Sequence, residues 1–284
     1  MKKITIMSIR NNLAKQLITI LVIGVAAAGC QKMERPAMGN YEQDTNPPGG
    51  PLKFYAAFDE RSVDSIRAVF GSEKNVTFVE GVSGTALSAG ADGYVVFPST
   101  NDFKTSKSFT VAFWMKKAGP NPAGTGTAFA FGLSTETDIW TRQDMFLLFE
   151  DAGNPSTADS AAAKFYVNDQ WFEFVGPRRL PGLLNGQWHH LAFTFDETTS
   201  MLTTYVDGAA ITNLPENFGK FNNNGGQLNL SKATGVVIGG PGHYAAGKTP
   251  DGWMGNFNGQ IDQFRMYGTA LSAAEIATLF ASRL

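Results

Sequence analysis

The stretch GQWHHLAFTFD, Gly186–Asp196, runs through the polar DETTS, Asp196–Ser200, into MLTTYVDG, Met201–Gly208. Successive side chains of a β-strand point to opposite faces. His189, Leu191, Phe193 and Phe195 therefore share one face, and His190, Ala192, Thr194 and Asp196 share the other. The first set is apolar and is read as facing a core; the second is read as facing solvent or a concave groove. Two adjacent histidines split in this way cannot hold one metal without a bulge, since a chelating pair on a strand needs i, i+2 spacing. Asp207-Gly208 supplies the positive φ of a tight turn. The stretch is thus half of a core hairpin, and its histidines are structural.

The same grammar extends in both directions. LKFYAAF, NVTFVE, GYVVFP, SFTVAFWMKK, TAFAFGL, MFLLFE, KFYVN, QWFEFV, MLTTYVD, GVVIGG and GQIDQFRMY are short apolar or alternating runs, separated by Gly, Asn, Asp and Pro. That is an all-β pattern. So many strands exceed one open sheet, and two packed sheets follow. KFYVNDQWFEF turns at Asn168 and Asp169. One helix is expected, at the end: in LSAAEIATLFASRL, Ser272 and Glu275 form a capping box, and Leu271, Ile276, Leu279 and Phe280 make an apolar face that packs on one side of the sandwich.

The N-terminus has another character. Lys2, Lys3, Arg10 and Lys15 precede LITILVIGVAAAG, Leu17–Gly29, an apolar run short for a bilayer span and ending in small residues. Residues 1–29 read as a secretory signal. Cys30 is the one cysteine of the chain, so no disulfide forms within it. Ala27, Ala28 and Gly29 before it resemble a lipobox, which predicts lipidation of Cys30 and stable anchoring in a membrane through several acyl chains. Residues 30–51, polar and rich in Pro and Gly, form a tether. Residues 52–284 form the domain. Removal of the signal takes away four basic groups and no acid, leaving 19 basic residues against 25 acidic, a net charge of −6. That sign excludes nucleic acid and anionic lipid as favoured partners.

GVSGTAL, GYVVFP, SFTVAFWMK, GQWHHLAFTFDETTSMLTTYVDG and FNGQIDQFRMYGTALSAAEIATLF, in that order, resemble the LamG-like jelly-roll modules of the concanavalin A-like lectin/glucanase superfamily. The resemblance spans roughly residues 54–282 and is weakest from Gly119 to Pro181. It implies an all-β, two-sheet antiparallel jelly-roll sandwich with a short C-terminal helix. Such modules often bind glycans on a concave face or loop rim, and many relatives are surface lipoproteins of glycan-using bacteria. An outer-membrane lipoprotein that works beside glycan-uptake proteins is therefore expected. The family also places a structural Ca²⁺ where the N- and C-terminal strands pair, which here points to Asp59 and Asp262.

Catalytic signatures are missing. The chain has no G-x-S-x-G elbow. It also lacks the E-x-D-x-E and E-x-D-x-x-E strands of the superfamily's glucanases, whose carboxylates must flank a sugar bond. The expected activity is therefore binding rather than catalysis. A structural or protein–protein interaction module is the alternative, and a glycoside hydrolase or polysaccharide lyase the third. Aromatic rings lead to the site, because sugar C–H faces stack on them. Trp114 lies opposite the core residues of its strand. Trp171 opposes Phe172 and Phe174, while Trp140 and Trp253 occupy polar and Gly-rich loop segments. Trp140, Trp171, Tyr244 and Trp253 are expected to line a glycan site, with Arg142, Asp251 and Asn256 as hydrogen-bonding neighbours.

Overall fold

The computed structural model describes residues 49–121, 126–137, 140–150, 156–157 and 159–283. The signal segment, Cys30 and most of the tether lie outside the described residues. The domain runs β1 (Leu52–Ala56), β2 (Val63–Asp64), β3 (Val69–Phe70), β4 (Ser72–Glu80), β5 (Thr85–Phe97), β6 (Phe109–Ala118), β7 (Thr127–Thr135), β8 (Gln143–Phe149), β9 (Ser160–Ala161) and β10 (Ala163–Val167). It continues with β11 (Gln170–Phe174), β12 (Leu180–Pro181), β13 (Asn185–Asp196), β14 (Met201–Val206), β15 (Ala209–Ala210), β16 (Ala233–Ile238), β17 (Met254–Asn256), β18 (Gly259–Tyr267) and helix α1 (Ala273–Ser282). Among the described residues no helix is long and apolar enough to cross a membrane.

The main path of pairing is β11-β10-β8-β7-β16-β5-β18-β6-β13-β14-β15, curled so that its two halves face each other. β5 makes the corner. Leu87–Ala89 pair with β18, and Val95–Phe97 pair with β16. Between them Gly93 lies so close to Asn75 O that a Cβ there would sit 2.7 Å from it. Bending a strand from one sheet into the other requires this kind of bare backbone.

The core fills the space between the halves. Leu191, Phe193 and Phe195 of β13 are all buried in it, as strand alternation predicts. Phe193 stacks on Phe165 of β10 at 4.4 Å between ring centroids, so the two rings link the facing sheets. The tight turns also fall where expected. Asp207 and Gly208 have φ of 49° and 77°, and Asn168 and Asp169 have 43° and 63°.

The outward face of β13 departs from expectation. His190 is buried at 1% exposure, not open to solvent or a groove, because α1 lies over it. The Ser272 side chain accepts from Glu275 N, and Glu275 answers the Ser272 N–H in the expected capping box. The helix then packs Ile276 and Leu279, with Leu271 just before it, on Ala112, Ala192 and Tyr205. Phe280 stacks on Trp114 at 5.4 Å and sits 6.3 Å from the His190 ring. Gly208 serves twice here, since a Cβ there would meet Phe280 at 3.0 Å. Burial, then the Arg265 charge, pushes the His190 imidazole down to about 4, so it is neutral at pH 7.

His189 also differs: it shares the parity of the core residues but lies beyond the core's edge. Its Nδ1 pairs with Asp207 Oδ2 at 2.8 Å and its Nε2 with Asn185 Oδ1 at 3.0 Å. Asp207 Oδ1 accepts the His190 backbone N–H. Burial pushes the Asp207 carboxyl up, but the bonds from both histidines win and hold it below its usual value.

Candidate functional site

Among the described residues no helix lies over the other outer face, on β8, β10 and β11. Alternation along β8 puts Phe146 and Leu148 on this face, flanked by Asp144 and Glu150; β10 adds Lys164 and Tyr166, and β11 adds Trp171 and Glu173. Phe129, Phe146, Leu148, Tyr166 and Met254 form a buried apolar floor with Trp171 packed against it. Phe146 and Tyr166 stack at 4.7 Å, and Trp171 meets both edge-on.

Over this floor three indoles meet. Trp140 stacks on Trp171 at 6.3 Å with 16° between planes, and lies 5.8 Å from Trp253. Trp253 in turn covers Phe129 at 5.9 Å. Trp140 is 59% exposed and Trp253 39%; the other exposed large apolar side chain among the described residues is Phe70, on the short strand β3. A contiguous exposed aromatic patch over a buried floor marks a binding surface more often than a packing accident.

Backbone contacts fix the rings. Trp253 O accepts Thr127 N at 2.9 Å and the Thr127 hydroxyl at 3.1 Å. Gly126, with φ of 84°, lies where a Cβ would touch that carbonyl at 2.5 Å. Residues Pro241–Tyr244 cross β7 at Gly132, whose missing side chain leaves room for Gly242 N to donate to Gln143 Oε1 at 2.7 Å. Trp140 lies in the connection from β7 to β8. Its backbone faces His243, whose imidazole burial pushes down, with Asp251 and the Trp140 carbonyl opposing and Arg142 adding to the shift.

Polar groups edge the platform. Lys164 Nζ lies 5.6 Å over the Trp171 ring and bridges Glu150 at 2.7 Å and Glu173 at 3.2 Å. Burial lowers the Lys164 pKa, but its two carboxylate partners outweigh this and raise it overall.

The structure therefore brings together Trp140, Trp171 and Trp253, with half-buried Arg142 and exposed Asp251 around His243 beside them. Tyr244 and Asn256 form a pair of their own instead. Tyr244 stacks face to face on Tyr94 at 3.7 Å, and its hydroxyl donates to Asn256 Oδ1 at 3.1 Å. Asn256 is 5% exposed and donates to Gly93 O, so its side chain is committed to the β5 corner. Their partner ring, Tyr94, lies 150 residues earlier in the chain and cannot be inferred from the local sequence. The floor residues and the Lys164 triad were also missed. In MFLLFE nearly every position is apolar, and alternation cannot say which face is the core.

Asp59 and Asp262 meet at the Gly81–Thr85 turn. Asp262 is fully buried; its Oδ2 accepts Val82 N at 2.8 Å and Ser83 N at 3.3 Å, while its Oδ1 has no hydrogen-bond partner. Exposed Asp59 accepts Thr85 N at 3.0 Å. Burial pushes the Asp262 carboxyl up to about 6, against the bonds from Ser83 and Val82, and Asp59 adds to the rise.

A family profile described as the concanavalin A-like lectin/glucanases superfamily matches residues 89–277. The chain belongs to this superfamily. Three of the solved structures that share its fold show the range. Domain 4 of AbnA, an extracellular GH43 arabinanase of Geobacillus stearothermophilus solved with arabinotriose, is 18% identical, with 81% of this chain and 98% of that chain covered and a TM-score of 0.52. The binding domain of Paraclostridial mosquitocidal protein 1 is 14% identical, with 83% and 53% covered and a TM-score of 0.54. Trypanosoma rangeli sialidase is 18% identical, with 82% and 32% covered and a TM-score of 0.53. At these identities the likeness is one of fold. No curated protein matches the chain in sequence. The superfamily's name covers lectins and glucanases alike, so membership leaves binding and catalysis to be argued from the site.

Proposed function

We propose that the chain is a non-catalytic carbohydrate-binding protein, anchored in the bacterial outer membrane through lipidated Cys30 and working beside glycan-uptake proteins. The observation that carries the binding reading is the Trp140–Trp171–Trp253 platform, in which Trp140 and Trp253 are exposed among the described residues. Indole faces beside water suit the C–H faces of sugars. Arg142, Asp251 and the Lys164 triad supply polar groups at the edge for hydroxyls. Two carboxylates at the platform's edge, Glu150 and Glu173, are both tied to Lys164, which suits recognition better than acid–base chemistry.

A glycan array probed with the full chain is expected to show binding to at least one neutral polysaccharide fragment. Absence of binding to every glycan contradicts the proposal. Metabolic labelling with an alkyne fatty acid is expected to mark the wild type and not Cys30→Ala; labelling of both, or of neither, contradicts the anchor.

Asp59 and Asp262 fit a structural Ca²⁺, because a buried carboxylate oxygen without a partner beside a second carboxylate is a hard-oxygen donor set. Among the described residues no third His, Cys, Asp or Glu joins them, so the other ligands would be backbone carbonyls and water. Millimolar Ca²⁺ is expected to raise the melting temperature of the wild type and not of Asp262→Asn.

A further inference from the structure

At the turn end of β8 and β10, next to the tryptophan platform, lies a cavity of about 290 Å³ lined by Thr137, Asp144, Tyr166, Asp169, Asn229 and Lys232, among others. Tyr166 belongs to both places. Its ring is part of the apolar floor against Trp171, and its hydroxyl donates to Asp169 Oδ1 at 2.6 Å. One side chain therefore joins the wall of the cavity to the floor of the platform.

Its wall is built rather than accidental. Asn168 accepts Asn229 N at 2.7 Å and donates to Asn229 O at 2.9 Å, which ties the β10–β11 turn to the loop before β16. Asn168 N donates to Asp144 O at 3.0 Å and holds the same turn to the start of β8. At the inner wall Asp144 is only 9% exposed, and its Oδ2 has no hydrogen-bond partner. A buried carboxylate oxygen left without a donor is costly unless something supplies one.

The lining chemistry selects the ligand class. A metal site calls for convergent anionic oxygens, yet Lys232 lies on this wall. An anion site calls for cations, yet two carboxylates face in. Acceptors (Asp144, Asp169) and donors (Lys232, the Asn229 amide, the Thr137 hydroxyl) side by side suit groups that both donate and accept, which is the property of sugar hydroxyls. The volume lies at the lower limit of roughly 300–1,000 Å³ found for drug-sized ligands, room for one sugar unit and not for a chain.

We infer that this cavity holds a single sugar unit of the glycan that stacks on the tryptophans, with Asp144, Asp169 and Lys232 reading its hydroxyls. The inference rests on the carbohydrate-binding reading and adds to it a direction and a length: the glycan runs from Trp253 over Trp171 and past Tyr166, and its far unit decides selectivity. Burial pushes the Asp144 carboxyl up to about 6, the Thr135 hydroxyl and Lys232 opposing and Asp169 adding. Its acceptor strength, and the affinity it supplies, should therefore rise between pH 5 and pH 7.

The test is isothermal titration of the full chain with arabinan, xylan, mannan and β-glucan fragments of two to six units. Wild type should gain affinity at one particular added unit. Asp144→Asn and exposed Lys232→Ala should each lose about 5- to 20-fold for fragments containing that unit, while binding shorter ones as wild type does. Asp144→Asn removes a charge without changing shape, and Lys232→Ala touches only the surface, so both should fold. Wild-type affinity of both variants at every length overturns the inference and leaves the platform standing. Binding of no fragment by the wild type removes both. Ca²⁺ binding that Asp144→Asn abolishes, or fragment hydrolysis that it abolishes, would replace the sugar subsite by a metal or catalytic site and likewise overturn it.

Discussion

The sandwich has two apolar surfaces besides its core, and it treats them in opposite ways. On β6, β13 and β14 the outer residues Ala112, Trp114, His190, Ala192 and Tyr205 are sealed under α1. On β8, β10 and β11 the outer residues Phe146, Leu148, Tyr166 and Trp171 carry, among the described residues, Trp140 and Trp253 in place of a helix, and these two remain 59% and 39% exposed. Both faces have the composition of a packing surface, and a helix covers one of them. What separates them is whether the chain supplies its own cover, and the uncovered one is where a ligand can do so.

Substitutions can break this contrast, beginning with the sealed face. Ile276 is fully buried under the helix, and Ile276→Ala is expected to cost about 2–4 kcal/mol in urea denaturation. Trp171→Ala removes a half-buried ring from the floor and should cost about 1–3 kcal/mol, together with glycan binding. Trp140→Ala, on the exposed ring, should cost less than about 1 kcal/mol. A stability loss for Trp140→Ala as large as that for Ile276→Ala would mean that the tryptophans are a lid like the helix, and the contrast would fail.

Acid should separate the faces by sign. His190 titrates at 6.5 in an open chain and at about 4 in the fold, so the unfolded chain takes up the proton first and stability falls as pH drops through that window. Asp144 titrates at 3.8 when open and at about 6 in the fold, so the fold holds its proton longer and stability rises as pH drops from about 6 toward 4. Asp262 acts in the same sense as Asp144. Melting temperatures from pH 4 to 7 should show a steeper acid loss in Asp144→Asn than in wild type, and a shallower one in His190→Leu. Parallel profiles in all three proteins would contradict these assignments.

Much of this was legible locally. The alternation of Leu191, Phe193 and Phe195, the turns at Asn168-Asp169 and Asp207-Gly208, and the Ser272–Glu275 box are set by neighbours within a few residues, and each lies where the sequence puts it. The first half of β5, TALSAGAD, was not legible, because small and polar residues carry no periodic apolar signal, and pairing with β4 and β18 makes it a strand. His190 was placed on an open face because the helix that covers it lies some 80 residues later. The meeting of Trp140, Trp171 and Trp253 was expected, but the commitment of Tyr244 and Asn256 to Tyr94 and Gly93 was not, since those partners come from a distant bend. Local chemistry reveals strands and turns; which outer face stays bare is decided by contacts across the whole chain.

The central claim is that the bare face exists to be covered by sugar. Titration of the double variant Trp140→Ala/Trp253→Ala with any glycan that binds the wild type tests it most directly. Interfacial tryptophans of this kind are worth about 2 kcal/mol or more each, and because neighbouring losses add only in part, affinity should fall at least about 100-fold, while the melting temperature stays within a few degrees of wild type. Undiminished binding of that glycan by the folded double variant would contradict it.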